Sequence, residues 1–90
     1  MSSVYFVVAE RARLIKIGYA KDPWKRLSDL QVGSPEPLQM LGLIATYLPA
    51  QLEAFLHERF RATRTHGEWF LLDMPLVEWI EQNADPWDTE

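Results

Sequence analysis

The 90-residue chain contains no cysteine, which removes thiol nucleophiles, zinc ribbons and disulfide frameworks and leaves the redox compartment open. No apolar run approaches the ~18 residues of a membrane span, and the opening Met1-Ser2-Ser3-Val4 lacks a basic stretch followed by an apolar one. The expectation is therefore a soluble cytoplasmic protein with no membrane partner. Internal repeats, low-complexity stretches and long linkers are absent. Lysine and arginine are absent from residues 73–90, which carry six acids.

What remains is enough for one core and not two. A chain of this length buries somewhat over ~60% of its unfolded surface. With 48% apolar residues, including four Trp, four Phe and three Tyr, it fills that core without a structural metal. The net charge of −4 argues at first against nucleic acid. Its distribution reverses the inference, because residues 1–72 hold all nine basic residues against seven acids, a net +2. The acidic end is either a solvated helix face and tail or a mask over the basic body.

Apolar patterning gives the order β, β, α, β, α, short β, α. Residues 4–9 and 14–20 are compact runs rich in β-branched and aromatic residues, joined by a polar connector, and predict an antiparallel hairpin. Asp22 before Pro23 predicts a helix start and Gly33, ahead of two prolines, a stop. A strand over 38–47, a helix over 49–62, an extended piece over 69–72 and a helix over 76–83 complete an α+β domain.

Strand alternation puts Tyr5, Val7 and Ala9 on one face and Lys16, Gly18 and Ala20 on one face of the partner strand, so Tyr5 and Lys16 become neighbours if the faces match. Tyr19 falls on the opposite face. In the first helix Pro23, Leu27 and Leu30 form the apolar stripe with Arg26 at its border, where it either works on a ligand or pairs with Asp22 or Asp29. In the second, Leu52, Phe55, Leu56 and Phe60 form the stripe, and Glu53 and His57 lie four apart along its margin. That pair fits a shared cation or proton, or a plain hydrogen bond. The His-Glu-x-x-His pattern of zinc proteases is absent. Gly67-Glu68-Trp69-Phe70 reads as a turn glycine followed by core-filling rings.

Taken in order, Val4-Tyr5, Lys16-Ile17-Gly18, Arg26 and Glu53 resemble the GIY-YIG nuclease superfamily over about residues 4–72. More narrowly, Asp22-Pro23, Arg26-Leu27, Leu30-Gln31, Glu53 with His57 and Phe60, and Gly67-Glu68-Trp69-Phe70 look like a compact phage and bacterial branch often described as DNA-binding, which includes domains named for meiotic up-regulation. The resemblance implies a three-stranded antiparallel sheet over residues 1–72 with an added short strand; residues 73–90 read as a C-terminal helix and acidic tail on the same domain. It implies a metal-dependent endonuclease that hydrolyses DNA phosphodiester bonds, or a weakly active or inactive DNA-binding module of the same fold. In the first case Glu53 is the ligand of Mg²⁺ or Mn²⁺, Arg26 steadies the phosphate, Tyr5 directs the attacking water and His57 supports Glu53 or handles a proton.

Two positions depart from the family pattern. Lys16 stands where the second motif has tyrosine, serving as a phosphate-binding charge or a base. Leu30 stands where many family nucleases carry histidine or tyrosine. Under the binding reading, Lys16, Lys21, Lys25, Arg26, Arg59, Arg61 and Arg64 track DNA phosphates. Trp79 and Trp87 pack on the core or form a homodimer or partner interface.

Overall fold

The computed structural model describes residues 1–86. Trp87, read above as a core or interface residue, and Asp88 and Glu90 of the acidic end lie outside the described residues. The elements are β1 (Ser2–Ala9), β2 (Leu14–Ala20), α1 (Pro23–Val32), β3 (Gln39–Thr46), α2 (Pro49–Arg59), a short 3₁₀ turn (Arg61–Thr63), β4 (Arg64–His66), β5 (Trp69–Leu71) and α3 (Met74–Asn83). The α+β architecture follows the expected order, with a sheet of five antiparallel strands ordered β3-β1-β2-β5-β4. The strand absent from the expectation is β4. Arg64, Thr65 and His66 are all exposed and offer no apolar alternation for periodicity to detect.

Helix starts follow the cap chemistry. Asp22 accepts from the Lys25 N–H at 3.0 Å with Pro23 in the first turn, and α1 ends at Gly33. Asp73 repeats the device by accepting from the Met74 N–H at 2.8 Å with Pro75 behind it. This explains why α3 starts two residues before the expected Leu76. The expected helix over 49–62 instead leaves α geometry after Arg59 and finishes as the 3₁₀ turn.

The sheet separates two apolar layers, as alternation along β1 requires. Val4, Phe6, Val8, Ile15, Ile17 and Phe70 face α2 and α3, where Leu56, Leu76 and Ile80 close the larger core. Tyr5, Val7 and Met40 face α1, with Leu27 and Leu30 from that helix over them. Leu30, the departure from the family pattern, is thus a packing residue. Phe55, expected in the α2 stripe, is instead 52% exposed; Leu52 and Leu56 of α2, with Phe60 just past its end, pack on the sheet. Trp79 belongs to the core, its ring centroid 6.1 Å from Phe6 and 6.5 Å from Phe60.

The C-terminal helix is locked onto the β3 edge. A Cβ on Gly42 would lie 2.9 Å from the Ala84 Cβ, and Leu43 and Asp85 exchange backbone hydrogen bonds at 3.0 and 2.8 Å. That bridge shields part of an otherwise open strand edge. No helix among the described residues is long and apolar enough to cross a membrane.

Leu56 is fully buried at the centre of the larger core. Leu56→Ala is expected to cost about 2–5 kcal/mol of unfolding free energy, measured as a lower urea midpoint at unchanged m-value.

Candidate active site

The β1–β2 register sets Tyr5 opposite Gly18 and Val7 opposite Lys16. Cross-strand partners share a face, so Tyr5, Gly18 and Lys16 are neighbours on the α1 side, as alternation anticipated. Tyr19 lies on the other face, opposite Val4. The Tyr5 ring lies directly over Gly18. A Cβ at Gly18 would stand 2.5 Å from the tyrosine oxygen, 2.7 Å from its Cζ and 3.0 Å from Glu68 Oε1. The bare glycine is therefore what admits the hydroxyl and the carboxylate to the same small space.

Glu68 sits there because β5 is short. It pairs with β2 only from Leu14 to Lys16, and the last link along that edge is the Ile17 N–H to the Glu68 carbonyl at 3.0 Å. Beyond this link, Gly18–Ala20 have no ladder partner on β5. Groups from both faces of the sheet meet around this freed edge: Tyr5 and Arg26 from the α1 side, Glu53 and His57 from α2.

Lys16 Nζ pairs with Glu68 Oε1 at 3.1 Å and lies 5.4 Å from the Trp69 ring centroid. The ammonium is thereby fixed on an aromatic face beside a carboxylate. His57 donates from Nε2 to the Ile17 carbonyl, N···O 3.1 Å, and its ring meets Phe70 edge-on at 5.0 Å. This bond ties α2 to the β2 backbone and leaves Nδ1 for any other partner. Arg26 is on the exposed side of α1. Its alternative partners are taken: Asp22 caps the helix, and Asp29 pairs with Lys25 at 3.5 Å.

Electrostatics links these groups. The Tyr5 side chain is 1% exposed, and its hydroxyl is buried with no hydrogen-bond partner. Burial pushes its pKa upward. Arg26 approaches without closing a hydrogen bond of ordinary geometry and pulls it back, while the charges of Glu68 and Glu53 push it up again. Burial also raises the Glu53 pKa, assisted by the adjacent Glu68 carboxylate and opposed by His57 and Lys16. Glu53 and Glu68 thus form a mutually repelling pair of oxygen donors. Among the described residues no group of three His, Asp or Glu side chains is arranged to hold a metal, so a cation here would rest on one or two carboxylates with water and substrate oxygens. That is the coordination Mg²⁺ accepts.

The remaining basic residues divide. Lys21, Lys25 and Arg26 line one depression of about 220 Å³ at the start of α1, beside the cluster. Arg59 stacks on Phe60 at 5.6 Å and lines a different depression, against Asp73 and the start of α3. Arg61 pairs with Glu58 at 3.5 Å. Arg64 donates from Nε to the Gly67 carbonyl at 2.6 Å, clamping the β4–β5 turn. The structure gathers Tyr5, Lys16, Arg26, Glu53 and His57 around one edge and leaves Arg59 and Arg61 outside it. Sequence reasoning missed Glu68 and Trp69 by treating their segment as a turn with core rings. The available signal was a carboxylate one residue past a turn glycine, next to a strand that presents Trp69 and Phe70 to opposite faces.

Two outcomes follow. Gly18→Ala drives a methyl group into a packed ring and is expected to cost about 1–3 kcal/mol. In a Tyr5→Phe background the cost should shrink, because the oxygen at 2.5 Å is gone, and a double-mutant cycle in urea measures the difference. For Glu53, a raised folded-state pKa means that the native state binds the proton more tightly than the unfolded chain. The associated stability is present at low pH and lost as pH rises through the folded pKa. Glu53→Gln should therefore raise Tm at pH 7 in metal-free buffer, with the gain fading as pH falls into the ordinary glutamate range.

Comparison with known proteins returns one family: the T5orf172 domain matches residues 3–88. No curated protein and no solved structure matches the chain. The matched span takes in both strands of the hairpin, every residue of the cluster and α3, and on that coverage the chain belongs to the T5orf172 domain family, a phage-associated, endonuclease-related group.

Proposed function

We propose that the protein is a metal-dependent endonuclease of GIY-YIG type that hydrolyses DNA phosphodiester bonds at the β2 edge. The observation that carries this reading is the Tyr5 hydroxyl, buried without a partner at the point where Arg26, Glu53 and Glu68 all act on it. Buried polar groups are almost always satisfied, so an orphan among charged groups marks a place for a substrate or a water.

Glu53, with Glu68 beside it, would hold Mg²⁺ or Mn²⁺, which when bound supplies a Lewis acid for the phosphate and the leaving 3′ oxygen. The residues of the chain do the rest. Arg26, exposed and released from its helix aspartates, reaches the non-bridging oxygens of the phosphate and stabilises charge that grows in the transition state. Tyr5 remains a neutral phenol because burial raises its pKa. It orients the attacking water by hydrogen bonding, and the water's proton must go to another acceptor. The free Nδ1 of His57 is the candidate acceptor. Lys16, held against Glu68, acts as a phosphate-facing ammonium rather than as a base, since a base there would have to release a proton its carboxylate partner holds in place.

A second reading keeps the fold and the DNA but not the hydrolysis. It is favoured by Lys16 itself: the residue that replaces the second tyrosine brings no hydroxyl, and it already has an anionic partner. In this reading Lys16, Lys21, Lys25 and Arg26 bind phosphates, and affinity falls steeply with salt.

Cleavage of supercoiled and branched DNA in Mg²⁺ or Mn²⁺ separates the two. Under the nuclease reading Glu53→Ala, correctly folded, loses cleavage, and Arg26→Ala lowers the rate by about 10²-fold or more. Equal cleavage by wild type and Glu53→Ala would overturn the assignment of Glu53. Absence of cleavage with DNA still bound would establish the binding module.

A further inference from the structure

A concavity lies beside the cluster rather than within it. It is a groove of about 450 Å³ on the α1 side of the sheet, bounded by the β1–β2 turn, the end of α1 with the loop that follows, and the β4–β5 hairpin. Ala9, Leu14, Leu30 and Leu38 give it apolar walls, and Trp69 and His66 close the end nearest β4. Its volume falls in the ~300–1,000 Å³ range of sites for small planar ligands.

Three features restrict what fits. The rim carboxylates are already compensated: Asp29 pairs with Lys25 at 3.5 Å, and the two oxygens of Glu36 accept the Arg11 and Ala12 amides at 2.8 and 2.9 Å. The groove therefore presents an apolar interior rather than an anionic one. Its far wall is fixed, because Gln31 brackets the loop by donating to the Glu36 carbonyl at 2.9 Å and accepting from the Leu38 N–H at 2.7 Å. Finally, Trp69 is shared. Its ring lines the groove, and the Lys16 ammonium stands 5.4 Å from the ring centroid, so an aromatic platform and a cation at the active cluster are contiguous. An aromatic surface joined to a phosphate-binding charge is how proteins hold an unpaired nucleotide.

We infer that this groove takes one unpaired nucleobase of the DNA, stacked against Trp69, while the phosphate attached to that nucleotide lies at Lys16 and Arg26. This rests on the DNA reading above and extends it to a substrate class: strands with unpaired nucleotides at the bound phosphate, such as flaps, gaps or branch points. A base within an intact duplex stack is flanked on both faces and does not enter. Lys16 then has two tasks, holding the phosphate and setting its distance from the platform.

The test compares binding of a labelled 12-nucleotide single strand of mixed sequence, and of the same strand annealed to its complement, by wild type, Ala12→Phe, Trp69→Leu and Arg26→Ala. Ala12 is exposed on the groove wall, so Ala12→Phe fills the groove without disturbing the core, and circular dichroism checks the fold of each variant. Stacking of one base contributes an effect expected to appear as about a 10-fold or greater rise in single-strand Kd for Ala12→Phe and Trp69→Leu. Duplex Kd should stay within about two-fold for Ala12→Phe, while Arg26→Ala weakens both probes alike. Folded groove variants that leave the single-strand to duplex ratio unchanged would overturn the groove assignment and leave the DNA reading standing. A wild-type protein that binds neither probe would overturn both.

Discussion

The arrangement depends on one missing methyl group. Gly18 is opposite Tyr5 in the β1–β2 ladder, and any side chain there would collide with the tyrosine ring at 2.5–2.7 Å. Because the position is bare, the phenol end of the ring sits over Gly18, and Glu68 Oε1 comes within 3.0 Å of where a Cβ would stand. A strand interior is ordinarily a poor place for glycine, which loses more entropy on ordering and packs nothing. Here the close approach of a phenol explains the exception, and the buried ring contributes apolar area to the smaller core.

The second constraint is the length of β5. Three residues suffice to anchor the β4–β5 hairpin through Phe70, which is fully buried, and more would seal the β2 edge. Stopping at Trp69 lets α2 bring Glu53 to an edge that Tyr5 reaches from the other face. A helix on one face of a sheet normally cannot meet a side chain on the opposite face. This one does because the edge is open where the glycine is. The His57 bond to the Ile17 carbonyl fixes the helix along that edge, so a residue proposed for proton handling also has a positioning task.

Much of this was legible in the sequence, and the reasons are specific. Asp22-Pro23 marks a helix start because an oxygen acceptor and a ring without an N–H solve the same problem at the first turn. Tyr5 and Lys16 become neighbours through strand alternation alone, provided the hairpin forms in the register it does. Glu53 and His57 share a helix margin by their spacing of four. What was not legible depends on where strands stop. The start of the strand at Trp69 was expected, but nothing in Gly67-Glu68-Trp69-Phe70 announces that Glu68 turns toward Lys16 or that Arg64-Thr65-His66 pairs at all. Phe55 was misplaced because periodicity marks which helix positions are apolar, while packing decides which of them meet the sheet, and Phe55 does not.

Carboxylates held together carry a cost that has a use. Glu53 is half-buried beside Glu68, and both burial and the second charge disfavour its ionised form. Lys16 offsets part of this through its ion pair with Glu68. A protein selected only for stability would replace Glu53 with an uncharged residue. Under the proposed metal-dependent reading, a divalent ion would relieve the repulsion that the folded chain otherwise bears. If that ion drew Glu68 away from Lys16, the ammonium would be freed beside Arg26, the residue proposed to meet the phosphate. Cation and phosphate would then assist each other, each removing an unfavourable feature that the other leaves behind.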